Sequence, residues 1–177
     1  MEINEILTRK EKGLISVGAS VAAGCQPCTA FHIQAALEAG ASEVEIRQAV
    51  EVALRVRDDA ASTMAGVAAK KLGKAQPADN QLVYSKLKID ELVAVAASFA
   101  INCTTSLDYH LNAAQLTEVT KAQIQIALKI SRNIKKTAAR QVEAMVIGIG
   151  TAVGADGGCG CQETKVESGI DRVSCCG

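Results

Sequence analysis

The segment GCQPCTAFH, residues 24–32, brings two thiols, Cys25 and Cys28, close to the imidazole of His32. Pro27 suits the first turn of a helix, where its missing N–H is not needed. A helix that begins at or just before Pro27 places Cys28 and His32 one turn apart on one face. The positive end of such a helix favours a thiolate and can lower a thiol pKa from about 8.5 to between roughly 3.5 and 7.5. The segment therefore predicts a redox dithiol with His32 as its proton carrier.

The pattern recurs 78 residues later, where Cys25 corresponds to Cys103 and His32 to His110 without a gap. Alanine matches are common in an alanine-rich chain, but a Cys and a His that match at one offset indicate an internal duplication. Other shared positions are Leu14 and Leu92, Val17 and Val95, Ser20 and Ser98, and Ile46 and Ile124. We therefore expect two similar helical units, related by a pseudo-twofold axis, around one shared core.

The predicted fold class is all-α, because alanine is abundant and the apolar residues recur with a helical period. We predict one domain over residues 1–153, made of repeats at about 8–73 and 86–150. Residues 154–177 offer few apolar groups to bury, so we expect a flexible, Cys-rich tail.

Several helix ends can be predicted from local signals. Capping boxes at residues 42–45 and 120–123 predict two helix starts. In the second repeat, Thr104 or Thr105 is the expected N-cap. The long helix after the first capping box is predicted to reach about residue 72, with a break near residues 58–59.

Composition argues against several classes of partner. The chain of 177 residues has 19 basic and 19 acidic side chains, so a basic surface for nucleic acid is not expected. It has no Trp, two Tyr and two Phe, so an aromatic platform on which bases could stack is not expected either. No apolar stretch approaches the ~18 residues of a membrane span. The acidic start lacks the features of a signal peptide. The chain has seven Cys, which is an odd number. Together with the lack of a signal peptide, this favours a cytoplasmic protein with reactive or metal-binding thiols over a secreted protein with a disulfide framework.

The Cys-x-x-Cys-x-x-x-His pattern of Cys25, Cys28 and His32, within a duplicated helical unit, resembles the carboxymuconolactone decarboxylase and alkyl hydroperoxidase D-like superfamily. The resemblance covers about residues 8–150. It implies the all-α fold of that superfamily and a homo-oligomer, commonly a trimer or a hexamer. In its redox branch a Glu twelve residues before the first Cys joins the proton relay.

Each repeat keeps a different part of that pattern. The position of the relay Glu is Gly13 in the first repeat and Glu91 in the second, so Glu91 and His110 form a candidate proton relay. The second repeat has Cys103 but carries Ser106 in place of the second Cys. It cannot form the local disulfide, and we expect a degenerate second site there.

Other interpretations of the thiols remain open. Cys25 and Cys28 can be structural cysteines at a helix start, or can join His32 and a tail thiol in a tetrahedral zinc site. The tail thiols suit a soft metal or a trivalent metalloid such as arsenite, or the shuttling of a disulfide. These tail thiols are Cys159, Cys161, Cys175 and Cys176.

The leading prediction is a cytoplasmic thiol–disulfide oxidoreductase, peroxidase-like, with Cys25, Cys28 and His32 as catalytic residues. The helix start favours Cys25 as the thiolate, whereas the spacing to His32 favours Cys28, and the resemblance leads us to Cys28 as the thiol that His32 serves. We expect a small hydroperoxide or disulfide as substrate, an electron donor that the sequence does not name, and no required cofactor. The alternatives are a soft-metal or metalloid-binding protein and an enzyme of the lactone decarboxylase type.

Overall fold

The computed structural model describes residues 6–74 and 85–147. Within these ranges the chain forms six helices and no strand, so the all-α prediction is confirmed. The helices are α1 (Arg9–Ala22), α2 (Gln26–Glu38), α3 (Glu43–Lys71), α4 (Lys88–Ala100), α5 (Thr104–Leu116) and α6 (Lys121–Ile147). The predicted tail, residues 154–177, lies outside the described residues.

The helices recur at the same spacing as the internal duplication in the sequence. Helices α2 and α5 begin at Gln26 and Thr104, and α3 and α6 begin at Glu43 and Lys121, 78 residues apart in both cases. Helices α1 and α4 pack against each other, and each also contacts the other helices of its own repeat and the long helix of the other one. The two central helices therefore join the two repeats.

Small side chains allow α1 and α4 to approach closely. A Cβ atom at Gly18 would lie 2.4 Å from Cγ1 of Val93, so any larger residue would force the helices apart. Buried serines satisfy their hydroxyls on helix carbonyls, as Ser98 does on Ala94 at 2.8 Å and Ser131 does on Ala96 at 2.6 Å. The shared core is consequently built mostly of Ala, Val and Ile.

Both predicted capping boxes are confirmed. The Ser42 hydroxyl accepts from the Glu45 N–H at 3.3 Å, and the Glu45 carboxylate accepts from the Ser42 N–H at 2.8 Å. The Thr120 hydroxyl accepts from the Gln123 N–H, and the Gln123 side chain accepts in return. These reciprocal bonds fix where the long helices begin.

Two local predictions were wrong. The N-cap of α5 is Cys103, whose sulfur accepts from the Ser106 N–H at 3.4 Å, and Thr104 is already the first helical residue. The sulfur takes the place of a hydroxyl because it stands three residues before a free N–H. Helix α3 runs through Asp58 and Asp59 without a break, since adjacent residues point in different directions on a helix and the buried Val56 holds this stretch to the core.

The outer ends of the long helices are exposed. Met64 and Val67 on α3, and Met145 on α6, are each more than half accessible to solvent. In the part of the chain that the structure describes, no helix combines the length and apolar character needed to cross a membrane.

Candidate functional site in each repeat

Cys25 and Cys28 lie at the start of α2, as the sequence predicts. Cys25 is the N-cap, with an extended backbone, and its sulfur accepts from the Cys28 N–H at 3.3 Å. The two residues form a disulfide with a Cα–Cα distance of 5.3 Å, inside the usual range for such bonds. Only 6% of Cys25 and 1% of Cys28 is exposed. The helix start therefore holds the pair in register and shields it from solvent.

His32 follows Cys28 by one turn on the buried face of α2, which also carries Ala36. Burial lowers the pKa of His32 from 6.5 to about 4, because the charged imidazolium would lose its solvation. In the disulfide state His32 is thus a neutral imidazole near pH 7.

The first repeat is tightly packed at the position of the relay carboxylate. A Cβ at Gly13 would lie 3.0 Å from the Cα and 3.1 Å from the Cβ of Ala36, so α1 and α2 touch at this point. A Glu here would require Ala36 to shift by a few tenths of an ångström. Gly13 therefore suits the close approach of these two helices.

In the second repeat Cys103 occupies the place of Cys25. Its sulfur accepts from the Ser106 hydroxyl at 3.1 Å as well as from the Ser106 N–H. Cys103 is buried and is the free cysteine among the described residues. A Cys–Ser pair thus keeps the N-cap geometry of the first repeat without its disulfide.

His110 is paired with a carboxylate, unlike His32. Its Nδ1 lies 2.9 Å from Oε2 of Glu91, and the two side chains are almost fully buried. The other Glu91 oxygen accepts from the Ser85 N–H at 2.6 Å. In the tautomer whose Nδ1 carries the proton, Nδ1 donates to the Glu91 oxygen and Nε2 is the ring atom that can accept a proton.

A cavity of about 150 Å³ opens beside this pair. Helix α3 of the first repeat supplies Arg55 and Asp59 to its wall, opposite Glu91 and His110. Burial raises the pKa of Asp59, and the nearby positive charge of His110 acts in the opposite direction. The second site is therefore a pocket lined by titratable side chains from both repeats.

The structure groups the predicted residues into two separate sets. Cys25, Cys28 and His32 share the start of α2, while Ser106 and His110 lie on the buried face of α5 and His110 meets Glu91. Sequence reasoning missed the wall residues from α3 and the bond from Ser85, because only the tertiary fold brings them to Glu91.

Among residues 6–74 and 85–147, no group of three or more His, Cys, Asp or Glu side chains could hold a metal ion. The four tail thiols predicted to bind a soft metal or metalloid lie outside the described residues; they are Cys159, Cys161, Cys175 and Cys176.

Comparison with known families addresses the first repeat. Residues 1–71 match the model of the carboxymuconolactone decarboxylase family. The match includes α1, α2 and α3, and with them both thiols and His32. The resemblance predicted from the motif is thereby confirmed for this part of the chain. No significant match was found among curated proteins or solved structures.

Proposed function

We propose that this protein is a thiol–disulfide oxidoreductase that uses Cys25 and Cys28 as its redox pair. The observation that carries the proposal is the Cys25–Cys28 disulfide at the N-terminus of α2. A helix N-terminus stabilises a thiolate leaving group, and two cysteines three residues apart can close and open a disulfide with little movement of the backbone. The match of residues 1–71 to a family with the same helical unit supports this choice.

In the proposed exchange, one dithiol is oxidised while one disulfide is reduced. A thiolate of the reduced pair attacks a substrate disulfide and releases one substrate thiolate. The second cysteine then attacks the mixed disulfide, closes the Cys25–Cys28 bond and releases the other substrate thiol. Two electrons and two protons pass to the substrate in total, and His32 carries the proton of Cys28, which lies one turn before it.

A hydroperoxide can take the place of the disulfide substrate. A thiolate attacks the terminal oxygen, which leaves an alcohol and a sulfenic acid, and the second thiol expels water as the disulfide forms. A reductant of the thiol class then restores the dithiol. This chemistry requires no metal or organic cofactor, and it is compatible with the homo-oligomer that we propose from the family resemblance.

Thiol titration tests this proposal. On exposure of the reduced protein to a slight excess of hydroperoxide, alkylation with mass mapping should show the loss of the thiols of Cys25 and Cys28, and dithiothreitol should restore them. Cys25→Ser and Cys28→Ser should each remove this response, and Cys103→Ser, the matched control in the second repeat, should retain it. A response that survives in either of the first two variants would reject the dithiol as the redox centre.

The second repeat favours another candidate function. The buried Glu91–His110 pair beside a cavity fits proton transfer on a small substrate, as in a lactone decarboxylase-type reaction, which needs no thiol. This activity would persist in Cys28→Ser and vanish in Glu91→Gln. The redox activity would show the opposite pattern, so the two variants separate the two candidates.

A further inference from the structure

The turn that presents Cys25 is held at the C-terminal end of α1. Gly24 has a φ of +69°, a conformation that glycine adopts without strain. The Gly24 N–H donates to the Val21 carbonyl at 3.0 Å, and the Cys25 N–H donates to the Ser20 carbonyl at 3.2 Å. These are the bonds of a glycine-ended helix terminus. Cys25 therefore closes α1 with its N–H and starts α2 with its sulfur.

Arg57 of α3 completes this turn from outside. Its Nη1 donates to the carbonyl oxygens of Val21 and Ala22, at 3.0 Å in each case. The same nitrogen lies 3.2 Å from where a Cβ of Gly24 would be. A guanidinium remains charged at every accessible pH. Arg57 thus places a permanent positive charge against the backbone residue that precedes Cys25.

The second repeat carries a weaker form of the same contact. Lys135 stands 78 residues after Arg57, and its ammonium reaches the Phe99 carbonyl at 3.5 Å and the side chain of Asn102. It also lies 5.3 Å from the centre of the Phe99 ring. Asn102 takes the place of Gly24, with a φ of 60°. One repeat therefore has a guanidinium on two backbone carbonyls before the two cysteines, and the other has an ammonium on one backbone carbonyl and one side chain before a lone thiol.

The neutral state of His32 makes this charge relevant to the redox pair. Near pH 7 in the disulfide state, the imidazole one turn after Cys28 is uncharged, so it supplies no positive charge to a new thiolate. Two other groups can stabilise that thiolate: the N-terminus of α2, through the Cys28 N–H, and the guanidinium beside Gly24. A cation near a thiolate favours the reduced form of a pair, because the disulfide has no charge to interact with it.

We propose that Arg57 is a positioning residue that sets the thiol–disulfide equilibrium of Cys25 and Cys28. It fixes the turn before Cys25, and its charge favours the thiolate that Cys25 becomes when the disulfide opens. The inference rests on the proposed redox function and names a determinant of that function outside the Cys-x-x-Cys segment.

The step can be written with glutathione as the reductant. One glutathione thiolate attacks the Cys28 sulfur, the Cys25–Cys28 bond breaks, and Cys25, which follows the turn bound by Arg57, leaves as a thiolate. A second glutathione thiolate attacks the glutathione sulfur of the mixed disulfide and releases Cys28. Two glutathione molecules are oxidised to one disulfide, and the two electrons reside on Cys25 and Cys28. Protons from the two glutathione thiols go to the protein thiols as their pKa values allow.

The test is an equilibrium titration of the full chain in glutathione redox buffers at pH 7, with alkylation and mass mapping of Cys25 and Cys28. Arg57→Met should favour the disulfide by about threefold to tenfold, which is about 15–30 mV for a two-electron couple. Arg57→Lys should recover most of this shift. Lys135→Met, the matched variant of the second repeat, should match the parent protein.

An unchanged equilibrium constant in Arg57→Met would overturn the inference, as would an equal shift in Lys135→Met. The salt dependence of the thiol–disulfide equilibrium in the parent protein is a test that does not require any variant to fold. Raising the ionic strength should move the parent protein towards the disulfide, because the partly exposed charge is screened, and an unaffected parent equilibrium would also count against Arg57. If instead the parent disulfide does not equilibrate with glutathione, the proposed redox function itself fails, which is a distinct result.

Discussion

The starts of α2 and α5 have one backbone arrangement and two different sets of chemistry. At both, a cysteine is the N-cap and a buried histidine follows seven residues later, as His32 follows Cys25 and His110 follows Cys103. The first has a disulfide followed by the buried His32. The second has a hydroxyl beside its thiol and an imidazole bound to Glu91. The duplication has therefore left a disulfide in one copy and a buried Glu–His pair in the other.

This difference shows that the fold does not require either set of side chains. Packing is consistent with the absence of a relay glutamate from the first repeat, because a side chain at Gly13 would crowd Ala36. Substitutions that move one group between the repeats should therefore move its chemistry as well.

Moving one thiol from the first repeat to the second by substitution should have the largest effect. Cys28→Ser gives the first repeat the Cys–Ser pair of the second and should abolish exchange. Adding Ser106→Cys to that variant should create a disulfide between positions 103 and 106, because the Ser106 oxygen already lies 3.1 Å from the Cys103 sulfur. Mass mapping after oxidation gives the answer. A protein in which positions 103 and 106 remain free thiols would mean that the second site cannot accept a dithiol.

The second-largest effect should come from removing each histidine in turn, because the two variants should differ in their oxidation rates. His32→Ala should slow oxidation of the dithiol by roughly a hundredfold or more, since acid–base assistance to the reacting thiol is lost. His110→Ala should leave the rate within about twofold, because its imidazole pairs with Glu91 and serves no thiol pair. Stopped-flow oxidation of the two variants provides the comparison. Equal losses would assign both histidines to stability.

The burial of His32 should make the stability of the protein depend on pH. The unfolded chain protonates this imidazole near its ordinary pKa of 6.5, whereas the folded chain does so at about 4. Stability should therefore fall as the pH drops from about 6.5 to about 4, by up to about 3 kcal/mol. Denaturant unfolding at several pH values should show this slope in the parent protein and a shallower one in His32→Gln. Identical slopes would contradict a desolvated His32.

The contact at Gly13 should give a smaller effect on stability. Gly13→Glu should lower the free energy of unfolding by about 1–3 kcal/mol, because the new Cβ crowds the backbone of Ala36. Ala36→Gly should relieve part of this loss in the double variant, as read from a double-mutant cycle of urea midpoints. Strict additivity of the two changes would show that the helices do not meet at this point.

Local signals were sufficient to predict much of the fold. Ser42 with Glu45 and Thr120 with Gln123 set helix starts within four residues of sequence, and Pro27 marked the start of α2. Such signals act between neighbours in the chain, so they can be recognised before any tertiary contact is known.

The failures came from contacts that the sequence does not display. The N-cap role of Cys103 was missed because hydroxyl caps are far commoner than sulfur caps. The break expected at residues 58–59 does not occur, since Val56 anchors this stretch of α3 in the core. Arg57 gave no local signal at all, because the carbonyls that it binds lie 36 and 35 residues earlier in the chain.

The central claim is that Cys25 and Cys28 cycle together between dithiol and disulfide. Differential alkylation with mass mapping, before and during turnover of a small disulfide substrate, measures this directly. We predict that Cys25 and Cys28 become oxidised as a pair, return to thiols with dithiothreitol, and are oxidised again by fresh substrate, while Cys103 stays free throughout. Consumption of the substrate while Cys25 and Cys28 remain free thiols would contradict the claim.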